Sequence, residues 1–378
     1  MSRDRTSHGD VPYDRELIRS GGASQRGERG RQATPPRRAR ARPARRPGSF
    51  LRALRNILLF AILAVVVVVV LLAIRAATFN ATVSSASFPS AALLGPMNGS
   101  ERVNVLMVGY GGEGHDGAYL ADSIQIMSID PATDTTTTIP IPRDLWIEGV
   151  ASYAQNAKVN EVFSTGFVNG DLDSAGALMA EVLSEVTGLA IDHWLSIDFT
   201  GFREMVDAVG GVTVDNPVAF EYTHNPVQFR AGNFDAGGFA AGEIQLDGAQ
   251  ALAYSRARYT SVVAESTDFA RSVRQARIMG ALRTKVGEGG IGSILPGLGL
   301  MDAMEGRVRT DLSVIDLYLL SSHLSSDRRI ELSEGPVLTA TTNTDGQYIL
   351  IPTGWTGPGN YGGIQAYLST ELAAPDAP

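Results

Sequence analysis

An uncharged apolar run near the N-terminus limits most strongly how this chain of 378 residues can fold. The run extends from Ile57 to Ile74 and contains 18 residues, ILLFAILAVVVVVVLLAI. At about 1.5 Å per residue, a helix of this length approaches the roughly 30 Å hydrocarbon thickness of a bilayer. We therefore predict one transmembrane helix over residues 53–75. A cleaved signal peptide, with Ala76-Ala77 imitating a cleavage site, is the weaker alternative because the run is long and a highly charged stretch precedes it.

The charge distribution predicts the orientation of this helix. Residues 1–56 contain 15 Arg and 5 Asp or Glu, a balance of +10, so the net charge of −8 leaves −18 on the remaining chain. Arginine-rich flanks stay on the cytoplasmic side of a membrane. We expect a single-pass protein of the cell membrane with a cytoplasmic N-terminus and an extracellular domain.

The segments on either side of the span are predicted to lack a core of their own. Residues 1–52 are rich in Arg, Gly, Pro and Ser, which is typical of a disordered basic tail. No aromatic residues interleave with RRARARPARR, so we favour an orienting segment attracted to anionic lipid over a nucleic-acid partner. Residues 76–101 are small and polar, which predicts a spacer. The chain has no cysteine, which excludes disulfides, a thiol nucleophile and Cys-ligated zinc.

Residues 102–370 alternate strand and helix patterns, and residues 371–378 are expected to fray. Val103–Val108 reads as a buried strand, and alternating or β-branched strands follow at 123–129 and 135–141. Residues 172–186 form an amphipathic helix pattern, followed by a strand over 193–199 and a helix over 200–209. Residues 215–245 look irregular and could form a lid. The order predicts an α/β fold, in which a mixed central β-sheet has helices on both faces (an α/β/α sandwich).

The segment from Tyr254 to Ile278 is the densest cationic stretch outside the tail. From Asp268 onward its pattern is helical, and Asp268, Arg271 and Gln275 are spaced to share one helix face. Five arginines lie in the segment: Arg256, Arg258, Arg271, Arg274 and Arg277. Guanidinium groups that converge repel each other unless an anion lies between them, and arginine binds phosphate oxygens bidentately. A solvated amphipathic face is the alternative, but arginines at both ends of a short loop favour a polyanion site.

Two further segments are candidates for the same site. Arg143 follows a predicted strand, where open α/β sheets bind ligands beyond the strand ends, although an ion pair with Asp144 would also explain it. The Gly-rich stretch YGGEGHDG follows the first strand and contains His115 and Asp116. It lacks the Lys-Ser/Thr ending of a Walker loop and the spacing of a dinucleotide fingerprint. A lone His-Asp pair on a loop is more often a local hydrogen-bonded turn than a metal site.

Several motifs together resemble the LytR-CpsA-Psr family of cell-envelope proteins over roughly residues 100–370. They are NVLMVGYG, LADSIQIMSIDPATDT, IPIPRDLW, KVNEVF, IDFTGFREMVDAVGGVTVDNP, LDGAQALAYSRAR and DFARSVRQ. The pair formed by Tyr-x-Arg-x-Arg and Asp-Phe-x-Arg-x-x-Arg-Gln is the most specific feature. The resemblance implies a phosphotransferase that moves a glycopolymer from a polyprenyl-pyrophosphate carrier onto peptidoglycan through a phosphodiester bond. It also implies an apolar pocket for the prenyl chain and a magnesium ion at the pyrophosphate.

The resemblance assigns roles to particular residues. Asp122 matches a carboxylate associated with magnesium, and Asp268 matches the acidic member of the arginine helix. Asp268 is either a base or, more plausibly, an orienting partner for Arg271, because arginines lower the pKa of a neighbouring carboxyl. With Asp268, the candidates for catalysis are Arg143, Arg258 and Arg271. The matches for pyrophosphate binding are Arg143, Lys158, Arg256, Arg258, Arg271, Arg274 and Gln275.

The sequence departs from the family pattern at two places. Leu120-Ala121-Asp122 stands where the family usually has Arg-Ser-Asp, and Gly109-Tyr110-Gly111 stands where it usually has Gly-x-Asp. One arginine and one magnesium carboxylate are therefore missing, and we expect Asp116 or His115 to substitute for them. Two alternatives follow from the same residues: a polyprenyl-pyrophosphate hydrolase, if water replaced the acceptor, and a non-catalytic binder of lipid-linked glycan.

Overall fold

The computed structural model describes residues 48–93, 96, 101–287, 294–321 and 328–374. Of the predicted tails over 1–52 and 371–378, residues 1–47 and 375–378 lie outside these residues, whereas 48–52 begin a helix and 371–373 end one. The helices are α1 (Gly48–Val83), α2 (Val159–Gly166), α3 (Leu172–Thr187), α4 (Phe199–Ala208), α5 (Pro226–Arg230), α6 (Gly248–Arg256), α7 (Asp268–Gly287), α8 (Ile294–Met304), α9 (Val314–Ser321) and α10 (Gly362–Ala373). The strands are β1 (Val103–Tyr110), β2 (Ala121–Asp130), β3 (Thr135–Pro140), β4 (Trp146–Ile147), β5 (Ala157–Lys158), β6 (His193–Asp198), β7 (Val212–Asn216), β8 (Phe220–Thr223), β9 (Gly237–Phe239), β10 (Gly242–Leu246), β11 (Tyr259–Thr260), β12 (Val308–Thr310), β13 (Arg328–Arg329), β14 (Leu338–Thr342) and β15 (Tyr348–Pro352).

A six-stranded sheet in the order β12-β6-β1-β2-β3-β13 forms the centre of the unit Leu63–Pro378. β1 runs parallel to β6 and antiparallel to β2, and β13 runs parallel to β3, so the sheet is mixed as predicted. One face carries Leu106, Val108 and Ile126, which pack with residues of α2, α3 and α10 into the largest apolar cluster. The α/β/α fold class is confirmed.

The opposite face of the sheet is covered in two parts. Val103, Val105 and Ile129 pack with Leu93 and with Leu312 and α9 residues into a small apolar cluster. Further along the strands, α4, α6 and α7 cover the face and form an apolar layer of their own with β7 and β8. Side chains alternate between the faces of a strand, so both layers use residues of the same strands.

Local signals explain where the helices next to the site begin. The Asp198 carboxylate accepts a hydrogen bond from the Gly201 N–H and caps α4. Asp247 and Gln250 form a capping box at the start of α6. Such caps satisfy backbone N–H groups that a helix leaves without an intrahelical partner.

Residues 215–245 are more ordered than the predicted irregular lid. β8 and β9 pair in a small sheet with β11, while β10 pairs with β7. The strands are two to five residues long, and glycines interrupt the alternation of apolar and polar side chains on which strand prediction depends.

The predicted transmembrane helix is the one helix among the described residues that is long and apolar enough to cross a membrane, over Leu54–Val83. α1 extends beyond the predicted end at residue 75. Phe79, Val83 and Leu93 are buried, with at most 2% of their surface exposed. Residues 76–93 are therefore not a spacer, because their apolar side chains are buried within the unit Leu63–Pro378. Of the remaining predicted spacer, residues 94–95 and 97–100 lie outside the described residues.

Candidate active site

A cavity of about 690 Å³ lies between the central sheet and helices α4, α6 and α7. Its floor is apolar, since β1 and β6 contribute Met107, Leu195 and Ile197 and the helices contribute Phe202, Leu252, Ile278 and Met279. Its polar lining includes Asp116, Asp122, Arg143, Arg256, Arg258, Arg271 and Gln275. A cavity with this lining suits a ligand that joins an anionic head to an apolar tail.

Four of the predicted arginines line this cavity: Arg143, Arg256, Arg258 and Arg271. We call them the arginine cluster. Arg143 follows β3, Arg256 ends α6, Arg258 follows it by two residues, and Arg271 lies in the first turn of α7. The fold therefore brings together residues more than 120 positions apart in sequence, as the polyanion-site hypothesis requires.

Asp122 ties two members of the arginine cluster together. Its Oδ1 accepts a hydrogen bond from Arg143 Nη1 at 3.0 Å, and its Oδ2 lies 3.8 Å from Arg256 Nη2. Arg143 Nε also lies 3.6 Å from the Asp144 carboxylate, so the surface ion pair considered from sequence exists beside the site. Asp122 thus holds the guanidinium groups of Arg143 and Arg256 near each other.

Arg256 is held against an aromatic ring. Its guanidinium carbon lies 4.1 Å from the centroid of the Phe199 ring, a cation–π contact. Burial lowers the pKa of Arg256, Asp122 opposes that effect, and the positive charges of Arg258 and Arg143 lower the pKa further. The arginines therefore repel one another in a partly desolvated place, where a bound anion would relieve the repulsion.

α7 places Arg271 and Gln275 on the same side of the cavity. Gln275 Oε1 accepts hydrogen bonds from Ser123 Oγ at 3.1 Å and from Gln125 Nε2 at 3.0 Å. Because the amide oxygen accepts hydrogen bonds from side chains of β2, the amide NH₂ group of Gln275 remains as the donor for a ligand. Arg271 is 8% exposed and reaches the cavity from the preceding turn.

Arg274 was predicted to bind pyrophosphate, and the structure contradicts this prediction. Its side chain is 0% exposed and packs beneath Phe220 and Tyr254. The guanidinium donates to Tyr254 O, Ala257 O and the Glu265 side chain at 2.8, 2.5 and 2.6 Å. Arg274 therefore fastens α7 to the end of α6 and to the loop between them, because its hydrogen bonds go to these neighbours.

Lys158 also lies outside the cavity lining. Its Nζ bonds the Asp144 carboxylate at 2.6 Å, so it neutralises the residue that follows Arg143. Lys158, the predicted site lysine, therefore binds Asp144, which is the neighbour of Arg143 in sequence. For Asp268, the structure describes the backbone as the start of α7, while the predicted role of its side chain lies outside the described residues.

The Gly-rich loop contributes His115 and Asp116 to the cavity wall. Gly112 has a φ of +84°, and a Cβ there would lie 3.0 Å from the Asp198 Cβ, so glycine is required where the loop passes this strand end. The loop thus comes close to β6 and lines the same cavity as Asp122. Within the described residues, no three His, Asp or Glu side chains lie close enough together to hold a metal ion by themselves.

Asp198 and Phe199 were missed as site residues from the sequence. Both line the cavity, and Asp198 lies 3.5 Å from Arg307 while it caps α4. An aspartate at the boundary between a strand and a helix was a usable signal, because strand ends of α/β sheets bind ligands. Nothing in the local sequence indicated that Arg256 would stack on Phe199.

Comparison with known proteins shows the family to which the chain is related. A model of the LytR_cpsA_psr family matches residues 71–354. The "Polyisoprenyl-teichoic acid--peptidoglycan teichoic acid transferase TagU" of Bacillus anthracis is 28% identical over 220 residues, which are 58% of this chain and 63% of that protein. The chain therefore spans less than two thirds of the length of the relatives it matches.

Two solved structures share the fold. Bacillus subtilis TagV is 21% identical with a TM-score of 0.52, and the match covers 74% of this chain and 100% of that chain. A structure of TagT bound to LI-WTA is 19% identical with a TM-score of 0.50, and the match covers 72% of this chain and 89% of that one. From the sheet order, the cavity and the family match over 71–354, we conclude that the chain belongs to the LytR-CpsA-Psr family.

Proposed function

We propose that the protein is a membrane-anchored phosphotransferase that moves a glycopolymer from a polyprenyl-pyrophosphate carrier onto peptidoglycan. The observation that carries the proposal is one cavity with an arginine cluster in its wall and an apolar floor. A pyrophosphate would fit the arginines, and the isoprenoid chain would fit the floor. The names of the TagU relatives support the reaction class, and family membership supports the transfer of the class to this chain.

The proposed reaction replaces one phosphorus–oxygen bond by another. An acceptor hydroxyl of peptidoglycan attacks the phosphorus that carries the glycan, the bridging bond of the pyrophosphate breaks, and polyprenyl phosphate leaves. The hydroxyl proton passes to a base or to water. Phosphoryl transfer needs positioning and charge neutralisation more than covalent help from the protein, and guanidinium groups supply both.

The proposal includes a magnesium ion that both the protein and the substrate phosphates would bind. Asp122 and Asp116 line the same cavity, and carboxylates are ligands that Mg²⁺ accepts. Mg²⁺ is commonly held by one or two carboxylates together with substrate phosphates, so the two residues fit such an ion. When bound, the ion would neutralise charge on the phosphates. Asp116 would replace the carboxylate missing after β1.

The proposed orientation is a cytoplasmic N-terminus with the catalytic domain outside the cell membrane. The arginine-rich segment before the span and the single arginine, Arg75, after it support this orientation. The acceptor is accessible only on that side, because peptidoglycan lies outside the membrane.

The test is a transfer assay with the full chain in nanodiscs, a polyprenyl-pyrophosphate glycan and peptidoglycan oligomers. Wild-type protein is expected to form the conjugate, and Arg143→Ala is expected to lose about 10²–10³-fold in rate, as when one preorganised donor is removed. Arg203→Ala is the matched control, because Arg203 is exposed on α4 and lies outside the cavity lining. Removal of Mg²⁺ by a chelator should reduce the rate reversibly.

The products separate the two other candidate functions. Free phosphorylated glycan without conjugate would identify a hydrolase, since water would then have replaced the acceptor. Binding of the donor without turnover would identify a non-catalytic binder. Either result would refute the transferase.

A further inference from the structure

The end of α1 is part of the external domain. Phe79 and Asn80 are each 2% exposed and Val83 is 0% exposed. Asn80 Oδ1 accepts a hydrogen bond from the Val314 N–H at 2.9 Å, and its Nδ2 donates to Ala86 O at 2.7 Å. One turn later, Ser84 forms a β-bridge with Thr310 of β12. The helix that follows the apolar run is therefore joined to the edge of the central sheet.

The segment after α1 is fixed as well. Ser313 Oγ donates to Ser90 O at 2.5 Å. The Leu93 N–H donates to Asp316 Oδ1 at 2.8 Å, and both Leu93 and Asp316 are 0% exposed. Buried polar groups that are fully bonded hold a chain in one arrangement. The connection between span and domain is consequently stiff, and the distance of the domain from the membrane is fixed.

That distance is short. The apolar run ends at Ile74 and the buried contacts of α1 begin at Phe79, five residues later. At about 1.5 Å per residue these five residues rise about 7.5 Å along the helix. The polar layer of a bilayer is about 5–7 Å thick on each side. The domain surface around α1 must then lie at or within the polar layer.

Helix α8 lies at this level. Arg75, the first charged residue after the apolar run, donates from Nη2 to Asp302 Oδ1 at 2.5 Å and to Glu305 Oε2 at 3.1 Å. Asp302 is the single charged residue in the α8 sequence, ILPGLGLMDAM. Leu298, Leu300 and Met301 are only half-buried, and a Cβ added at Gly299 would meet no heavy atom within 4 Å. α8 therefore presents apolar surface that the described part of the protein does not cover.

We propose that α8 is a membrane-contact helix, which lies in the polar layer of the bilayer beside the end of the transmembrane span. Its partner is the lipid surface itself, into which apolar faces of interfacial helices sink by about 5–10 Å. Arg75 binds Asp302 and Glu305 at the C-terminal end of α8 and offsets one of their two negative charges, which would otherwise oppose contact with anionic lipid.

The position of α8 also connects the membrane to the cavity. α8 packs on α4, and α4 contributes Phe199 and Phe202 to the cavity lining. α8 and α4 would thus be the two helices that lie between the bilayer and the apolar floor, and an isoprenoid chain would pass beside them. This last step rests on the proposed function, whereas the contact of α8 with lipid does not.

The absence of native cysteine permits a direct test. Gly299→Cys in the full chain carries one environment-sensitive fluorophore, and the protein is reconstituted in nanodiscs with lipids brominated near the headgroup. Thr341→Cys is the control, because Thr341 is exposed on β14 and the β14–β15 hairpin bridges to Leu145 beside β4, whereas the residue after α1, Ser84, bridges to β12. We expect several-fold stronger quenching at position 299 than at 341, and weaker quenching at 299 in the Arg75→Ala background.

Equal quenching at positions 299 and 341 would overturn the proposal. Leu300→Cys provides a second label on α8 if the first variant does not fold. The measurement needs no substrate, so a chain that fails the transfer assay and still shows quenching at 299 refutes the proposed function alone. A chain that transfers glycan without quenching at 299 or 300 refutes the membrane contact alone.

Discussion

Two arginines three positions apart on α7 have different roles in the structure. Arg271 lines the cavity, whereas Arg274 is fully buried and bonded to backbone carbonyls and Glu265. The family resemblance assigned both to pyrophosphate binding, because both lie in the motif Asp-Phe-x-Arg-x-x-Arg-Gln. What separated them was the position of α6, which covers Arg274, and no local pattern contains that information.

We expect Arg274→Met to destabilise the protein strongly. The substitution leaves the carbonyls of Tyr254 and Ala257 and the partly buried Glu265 carboxylate without their donor. Removing one partner of a buried charge pair costs about 3–5 kcal/mol. Thermal unfolding of the full chain in detergent measures the loss. The half-buried Arg258 is the comparison: Arg258→Ala should lower donor binding with a much smaller change in melting temperature. Equal melting temperatures for the two variants would contradict the structural role of Arg274.

At the scale of elements, sequence patterns predicted the parts with a strong periodicity. The first three strands, α3, β6 and α4 lie within a few residues of their predicted positions, because apolar alternation and caps mark them. The predictions for residues 76–93 and 215–245 were wrong for a shared reason. Small residues and glycines there suggested loops. The burial of Phe79, Val83 and Leu93 orders the first segment, and the pairing of short strands orders the second.

Helical glycines provide a matched pair of substitutions. A Cβ on Gly176 of α3 would lie 2.2 Å from Cε3 of the buried Trp194 ring, whereas a Cβ on Gly280 of α7 would meet no atom within 4 Å. Gly176→Ala should therefore cost about 1–3 kcal/mol through overpacking. Gly280→Ala should gain about 0.5–1 kcal/mol, because alanine loses less backbone entropy in a helix. Thermal unfolding of both variants checks the opposite signs, and a loss at Gly280 would contradict the open surface there.

His193, the first residue of β6, should make the free energy of unfolding depend on pH. Burial lowers the pKa of His193, but the hydrogen bond to Asp311 at 3.0 Å and the negative charges of Asp311, Asp192 and Asp316 more than offset it, so the pKa is raised. A histidine with a raised folded-state pKa stabilises the protein fully below its unfolded pKa of about 6.5, and this stability is lost as pH rises through the higher folded-state pKa.

His193→Gln tests this effect. The glutamine can keep a hydrogen bond to Asp311 but carries no charge at any pH. We expect the wild-type melting temperature to fall as the pH rises above about 6.5 and the variant to lose this part of the slope. Identical pH dependence in both proteins would show that His193 does not carry a stabilising proton.

At the scale of the whole molecule, the site could be predicted only in part. The sequence indicated that Arg143 and the segment 254–278 meet, and the structure brings them to one cavity with Asp122 between Arg143 and Arg256. The family resemblance implied an apolar pocket, but the sequence did not indicate which residues line it. The floor is formed by alternate residues of β1 and β6 under α4, α6 and α7. The cavity remains where these elements, which are far apart in sequence, do not pack against each other completely.

The most direct test of the central claim is mass spectrometry of lipid extracted from the full chain purified from a bacterial membrane. A cavity built for a polyprenyl-pyrophosphate donor should retain a polyprenyl phosphate or pyrophosphate, and Arg258→Ala should retain much less of it. Recovery of bulk phospholipid alone, in equal amounts from wild type and Arg258→Ala, would contradict the claim that the arginine cluster and the apolar floor bind one lipid-carried substrate.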